Sequence, residues 1–318
     1  MHKLPIAATY ANVMRFAFGR FFTTLRLTWL PVVLLLAVIV AHFGLQFWLM
    51  GVPFPHNMAN ADTPFGPPSG LDMNLMIANQ VALFVLQLIA MSAVAVSIHR
   101  VILFGDTKPG VWLNFPFGAT EIRFLAMGLL FALMTIAVIL IVVSPVIVLL
   151  SGGDVVAFFE GFGTKEKVEE LARGGGIFAL IAAYIAGWIA VLFMMVRLAV
   201  WPPSIVATGS LSPAEPWRLT RGNFWSLIGL FILVGVTMYA VMIPFGIAMA
   251  VFMFTHMRDL PAGQIPPERL TEMFQTALPF VFAFYFVLIV FVTGVTVATL
   301  SYAYKALKGI DAKDPVAV

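Results

Sequence analysis

The chain has 318 residues, 61% of them hydrophobic and only 10% charged, with a formal net charge of +3 and no cysteine. So few charges cannot clothe a water-soluble fold of this length, and a mean hydropathy of +1.01 marks a multi-pass membrane protein. The missing cysteine excludes disulfide and thiolate chemistry, and the small, unevenly placed net charge argues against nucleic acid as a partner.

In chain order, the first predicted element is an interfacial amphipathic helix over about residues 8–26. Met14, Phe18, Phe21, Phe22 and Leu25 recur on one face, with Arg15 and Arg26 on one flank and Arg20 on the other side. That is the pattern of a helix lying in the headgroup plane. Six apolar stretches follow, at about 28–50, 74–98, 124–150, 177–200, 226–254 and 278–302, each reaching the roughly 20 residues that cross a bilayer. All six are expected to be helices, because lipid offers no partner to a free backbone N–H or C=O. The first exceeds the roughly 7–15 apolar residues of a cleaved signal and has no small-residue cleavage site after it, so it is expected to stay as an anchor. The expected architecture is all-α and polytopic, with residues 1–318 forming one membrane domain.

The loops sort by charge. Lys3, Arg15, Arg20, Arg26, Arg100, Lys108, Arg123, Arg197, Arg218, Arg221, Lys305, Lys308 and Lys313 fall on the side of the two termini. Only Lys165, Lys167, Arg173, Arg258 and Arg269 fall opposite, where most acids also lie. Basic loops stay inside, so both termini are expected to be cytoplasmic.

The odd spans carry a helix breaker toward their outer ends, at Gly44, Pro145 and Pro244, about 100 residues apart, and the even spans end at Arg100, Arg197 and Lys305. Three degenerate, parallel two-helix units account for this spacing; ordinary punctuation of helix ends accounts for it too. In the fourth span Ala183 and Gly187 have the spacing that lets helices approach closely, which makes this span a candidate for the bundle interior.

Before the fifth span stands "WRLTRGNFW", residues 217–225. Ser212 to Glu215 reads as a capping box with proline at the first helical position, Gly222 as a helix stop and Asn223 as the next N-cap. A short in-plane helix then puts Trp217 and Trp225 at headgroup depth. Arg218 and Arg221, with Arg100 and Arg197, are the candidates for contact with anionic lipid headgroups. Enforcement of topology alone is the competing reading of the same arginines.

The stretch "VRLAVWPPSIVATGSLSPAEPWRLTRGNFWSLIGLFIL", residues 196–233, resembles the membrane domain of glycerophosphoryl diester phosphodiesterases and related stand-alone six-helix bacterial inner-membrane proteins. The shared features are an arginine-leucine helix end, a proline, a variable turn and a helix start of the form W-x-L-T-x-G-N-F-W. The resemblance implies a six-helix protein of the bacterial inner membrane. In that family the phosphodiesterase activity belongs to a separate soluble barrel with acidic metal ligands, and no such barrel is expected in these 318 residues.

No catalytic residue, metal site or cofactor is expected. His99 and Arg100 match only two residues of the phosphodiesterase site, and the five histidines are scattered at 2, 42, 56, 99 and 256 with no ligand spacing. No phosphate loop or nucleophile elbow occurs. Polar groups within the spans are His42, Gln46, Asn79, Gln80 and Gln87. Either they hydrogen-bond between helices or they line a path. Two functions follow: a non-catalytic accessory or lipid-binding module, with anionic phospholipid and a membrane protein as partners, or a transporter or lipid-moving protein with a cavity between its units.

Overall fold

A computed structural model of the chain describes residues 2–49, 73–105, 118–151, 169, 174–257 and 267–316, and all regular secondary structure among them is helical. The helices are α1 (Ile6–Gly19), α2 (Phe21–Leu49), α3 (Met73–Phe104), α4 (Ala119–Leu150), α5 (Gly176–Arg197), α6 (Trp201–Thr208), α7 (Ala214–Thr220), α8 (Phe224–Met257) and α9 (Pro267–Lys308). Six stretches are long and apolar enough to span a membrane, in α2, α3, α4, α5 with α6, α8 and α9. Apolarity on every face is the reason: a helix that satisfies its own backbone and shows only hydrocarbon is stable in lipid.

α2 packs chiefly on α3, and α4 on α5, while α9 lies against α1, α2 and α3. α9, at 42 residues, is about 63 Å long at 1.5 Å per residue. The packed core gathers at the end of the bundle that carries the termini. There Val94 to Leu103 of α3, Val290 to Leu307 of α9, Val13 and Phe16 of α1, and Leu227 and Leu230 of α8 form one cluster. The opposite halves of α4 and α8 leave Leu140, Ile141, Leu149, Val241, Ile243 and Val251 exposed. Hydrocarbon solvates such side chains as well as protein does, so nothing drives them together.

Four details depart from the sequence reading. The expected helix over 8–26 is divided: α1 stops at Gly19 and Arg20 closes it, its N–H bonding Phe16 O at 2.9 Å. α1 buries Thr9, Val13, Phe16 and Ala17, while Phe18, and Phe22 at the start of α2, are exposed. The smaller side chains let it dock on α8 and α9, where Tyr10 Oη meets Thr237 Oγ1 at 2.7 Å and Phe16 sits edge-on to Tyr302.

α5 is peripheral rather than interior. It buries one stripe, Ala183, Gly187, Val191 and Met194, and exposes Ile181, Tyr184, Ile185, Trp188 and Leu192. The small residues do allow close approach, by α4, where Gly187 lies against Val142.

Pro145 and Pro244 lie inside α4 and α8 without interrupting them, as transmembrane helices tolerate. Finally, α6 was not anticipated. Pro202 and Pro203 occupy its first turn, where their missing N–H groups have no intrahelical acceptor in any case, and Gly209 ends it at φ +69°. Trp201, Pro203, Ser204, Ile205, Val206 and Ala207 are all buried, because α6 is wedged against α3, α4 and α9.

Candidate functional site

Three of the expected basic residues meet at one place, where α5 ends and α7 folds back over it. α5, with 22 residues, is about 33 Å long, close to the thickness of a bilayer core. Its last residue is Arg197, and the apolar stretch runs on through α6 to Thr208. α7 is tied to α5 by Thr220, fully buried, whose hydroxyl donates to Arg197 O at 2.8 Å. That bond satisfies one of the orphan carbonyls at the end of α5.

Trp217, one turn earlier on α7, covers the Arg197 guanidinium: Cζ lies 4.6 Å from the indole centroid, with Phe193 edge-on to the indole at 6.1 Å. Arg197 is only 8% exposed, and its Nε has no hydrogen-bond partner. Arg221 is close enough for the two charges to repel. These groups, with Met134, Leu198, Pro213, Ala214 and Arg218, line an open cavity of about 440 Å³. Among the described residues no acidic side chain belongs to that lining.

The acid nearest in sequence is held elsewhere. Glu215 was expected to close a capping box with Ser212; instead the N-cap of α7 is Pro213, with no side-chain cap. The Glu215 carboxylate pairs with Lys308 of α9 and lies 3.5 Å from Tyr304 Oη. With Glu215 engaged by Lys308, no described acid faces the arginines of the cavity.

Gly222, at φ +81°, turns the chain from α7 into α8. Asn223 stands at the start of α8 as expected, yet its side chain does not cap it. The carboxamide instead grips the N-terminal segment: Leu4 N–H donates to Oδ1 at 2.9 Å, and Nδ2 donates to His2 O at 3.0 Å. Trp225 points away from the cavity; it is 78% exposed and rests edge-on against Phe224.

Arg100 is not part of the site. It forms an ion pair at 3.4 Å with Glu121 of α4, whose side chain is 1% exposed. The other Glu121 oxygen accepts from Gly118 N–H at 2.9 Å, so this carboxylate caps α4 and pins it to α3. The neighbouring His99 is fully buried, and its Nδ1 shares a 2.7 Å hydrogen bond with Ser301 Oγ of α9. Both residues of the His-Arg pair thus join helices.

The intramembrane polar candidates do not converge. His42 is buried on α2, Asn79 is half-buried with Nδ2 unpartnered, and Gln80 and Gln87 are exposed on α3. The Gln46 side chain lies outside the described residues. Two further cavities, of about 520 and 540 Å³, flank α1 where the C-terminal segment folds back. Lys305 holds that segment through Ala312 O and Asp314 O. Both cavities mix basic with acidic groups, Arg15, Arg20 and Asp314 in one and Lys3 and Asp311 in the other. Among the described residues no three His, Asp or Glu side chains are grouped as metal ligands would be. Comparison of the chain with protein-family models, with curated proteins and with solved structures finds no match.

Proposed function

We propose that the chain is a non-catalytic module of a bacterial inner membrane, both termini cytoplasmic, that holds an anionic phospholipid and supports a larger membrane or envelope complex. The observation that carries this reading is the cavity at the end of α5, where Arg197, Arg218 and Arg221 meet beside Trp217 with no acid among the lining residues. The charge sorting supports it. An anionic leaflet attracts each nearby Lys or Arg with about 1 kcal/mol, and most of the 18 basic residues fall on the side of the two termini. The resemblance of residues 196–233 to bacterial inner-membrane proteins supports the location.

The test is a native mass spectrum of the protein extracted in mild detergent. Retained anionic lipid is the expected result, and a protein stripped of lipid under conditions that keep it folded counts against the reading. A stoichiometric protein companion in the same spectrum identifies the complex.

Transport is the competing reading, and it has less support: α4 and α8 run unbroken through Pro145 and Pro244, and Gln80 and Gln87 line none of the three cavities described. With no native cysteine, single cysteines at these four positions can be probed directly. They are expected to resist a water-soluble maleimide; prompt labelling from the aqueous side would favour a transport path.

A further inference from the structure

The chemistry of the α5–α7 cavity narrows the anion. Its charged groups are three guanidiniums, and the rest of its lining is Met134, Leu198, Pro213, Ala214 and the Trp217 indole. None of these side chains is an oxygen acceptor, so a headgroup ammonium finds no counter-charge among them. Arginine cannot shed its proton, and a guanidinium buried without a partner is unfavourable. Arg197 is buried and stacked under Trp217 with its Nε uncommitted, and a second cation, Arg221, stands beside it. Glu215, the one acid of α7, is engaged by Lys308.

We infer that this cavity takes a phosphomonoester dianion, the chemistry of a phosphatidic-acid headgroup or of a soluble glycerol phosphate, in preference to a phosphodiester headgroup. The inference rests on the anion-binding reading given above. A phosphomonoester presents three terminal oxygens and a charge of roughly −1.5 to −2 at neutral pH, which matches three guanidinium forks. A phosphodiester presents two such oxygens and one charge. The site's position at the end of a bilayer-length helix, beside an interfacial tryptophan, suits a headgroup whose chains run down the exposed flank of α4 past Met134.

The experiment titrates the full-length protein in detergent with dioctanoyl phosphatidic acid, dioctanoyl phosphatidylglycerol and glycerol 3-phosphate, for the natural chain and for Arg221→Gln. Arg221 is exposed, so the variant should fold normally, and its unfolding temperature is the control. Phosphatidic acid is expected to bind about tenfold tighter than phosphatidylglycerol near pH 7.5, the worth of one charge-assisted hydrogen bond. The preference should shrink toward pH 5, as the monoester gains a proton with a pKa of about 6. Arg221→Gln should weaken phosphatidic acid by a similar factor. Glycerol 3-phosphate binding as tightly as phosphatidic acid would support the same chemistry with a soluble source.

Equal affinity for the two lipids, both weakened by Arg221→Gln, would overturn the phosphomonoester inference and leave the anionic-lipid reading standing. Binding of neither lipid, or binding indifferent to Arg221→Gln, would overturn both.

Discussion

The carboxamide of Asn223 holds the main chain of Leu4 across 219 residues of sequence, accepting its N–H at 2.9 Å while donating to His2 O at 3.0 Å. Asn223 is 3% exposed, and its bond with Leu4 N–H is buried, out of competition with water. The two bonds set α1 against the first turns of α8, where Ile6 meets Gly229.

Asn223→Ala removes both bonds and leaves the Leu4 N–H buried without an acceptor. The expected loss is about 2–3 kcal/mol, seen as a lower unfolding temperature in detergent and as faster proteolysis ahead of α1. Asn223→Asp keeps the acceptor and loses the donor, so it should fall between the two. An alanine variant with natural stability and a protected N-terminus would refute the clamp.

Thr220 ties α7 to α5 through one hydroxyl, and valine has nearly its shape. Thr220→Val should cost about 1 kcal/mol and also loosen Trp217 over Arg197, weakening lipid retention. Thr220→Ser retains the donor and should retain binding. If the valine and serine variants bind lipid alike, the hydroxyl does not position the site.

Arg218 and Arg221 are both exposed, so reversing them should leave the fold intact. Arg218→Glu with Arg221→Glu places two carboxylates beside Arg197, and retained anionic lipid in the native mass spectrum should drop by more than tenfold, given that each charge-assisted contact contributes about 1.5–3 kcal/mol. Unchanged retention at natural stability would remove these arginines from the site.

The ion pair of Arg100 and Glu121 is lopsided: the arginine side chain is 32% exposed and the glutamate 1%. Arg100→Ala strands a buried carboxylate and should cost about 3 kcal/mol or more. Glu121→Gln keeps an acceptor for Gly118 N–H and leaves a partly hydrated arginine, at a cost of about 1 kcal/mol. Unfolding measurements that rank the two variants the other way would mean that the pair does not pin α4 to α3.

Hydrophobicity in a membrane chain does not report burial, because lipid rewards an exposed leucine as fully as a buried one. The Ala183–Gly187 spacing points α5 to the bundle interior, yet only its stripe of Ala183, Gly187, Val191 and Met194 is covered. α6 was missed for another reason: a double proline reads as a break, yet both prolines fit the first turn of a helix. The Ser212–Glu215 capping box failed because Lys308, remote in sequence, took the carboxylate.

The sequence by itself determined the class of the protein, its six apolar helices and the concentration of basic residues toward the side of the two termini. Those properties are local, since about 20 apolar residues make a membrane helix whatever lies beside them. Tertiary structure alone decided which polar groups meet. Thr220 reaches back 23 residues to the Arg197 carbonyl and brings Arg218 and Arg221 to Arg197, while Arg100, of the same type and at a similar helix end, is claimed by Glu121. A guanidinium's role follows from the partner that packing brings within a few ångströms, and no local pattern of residues encodes that partner.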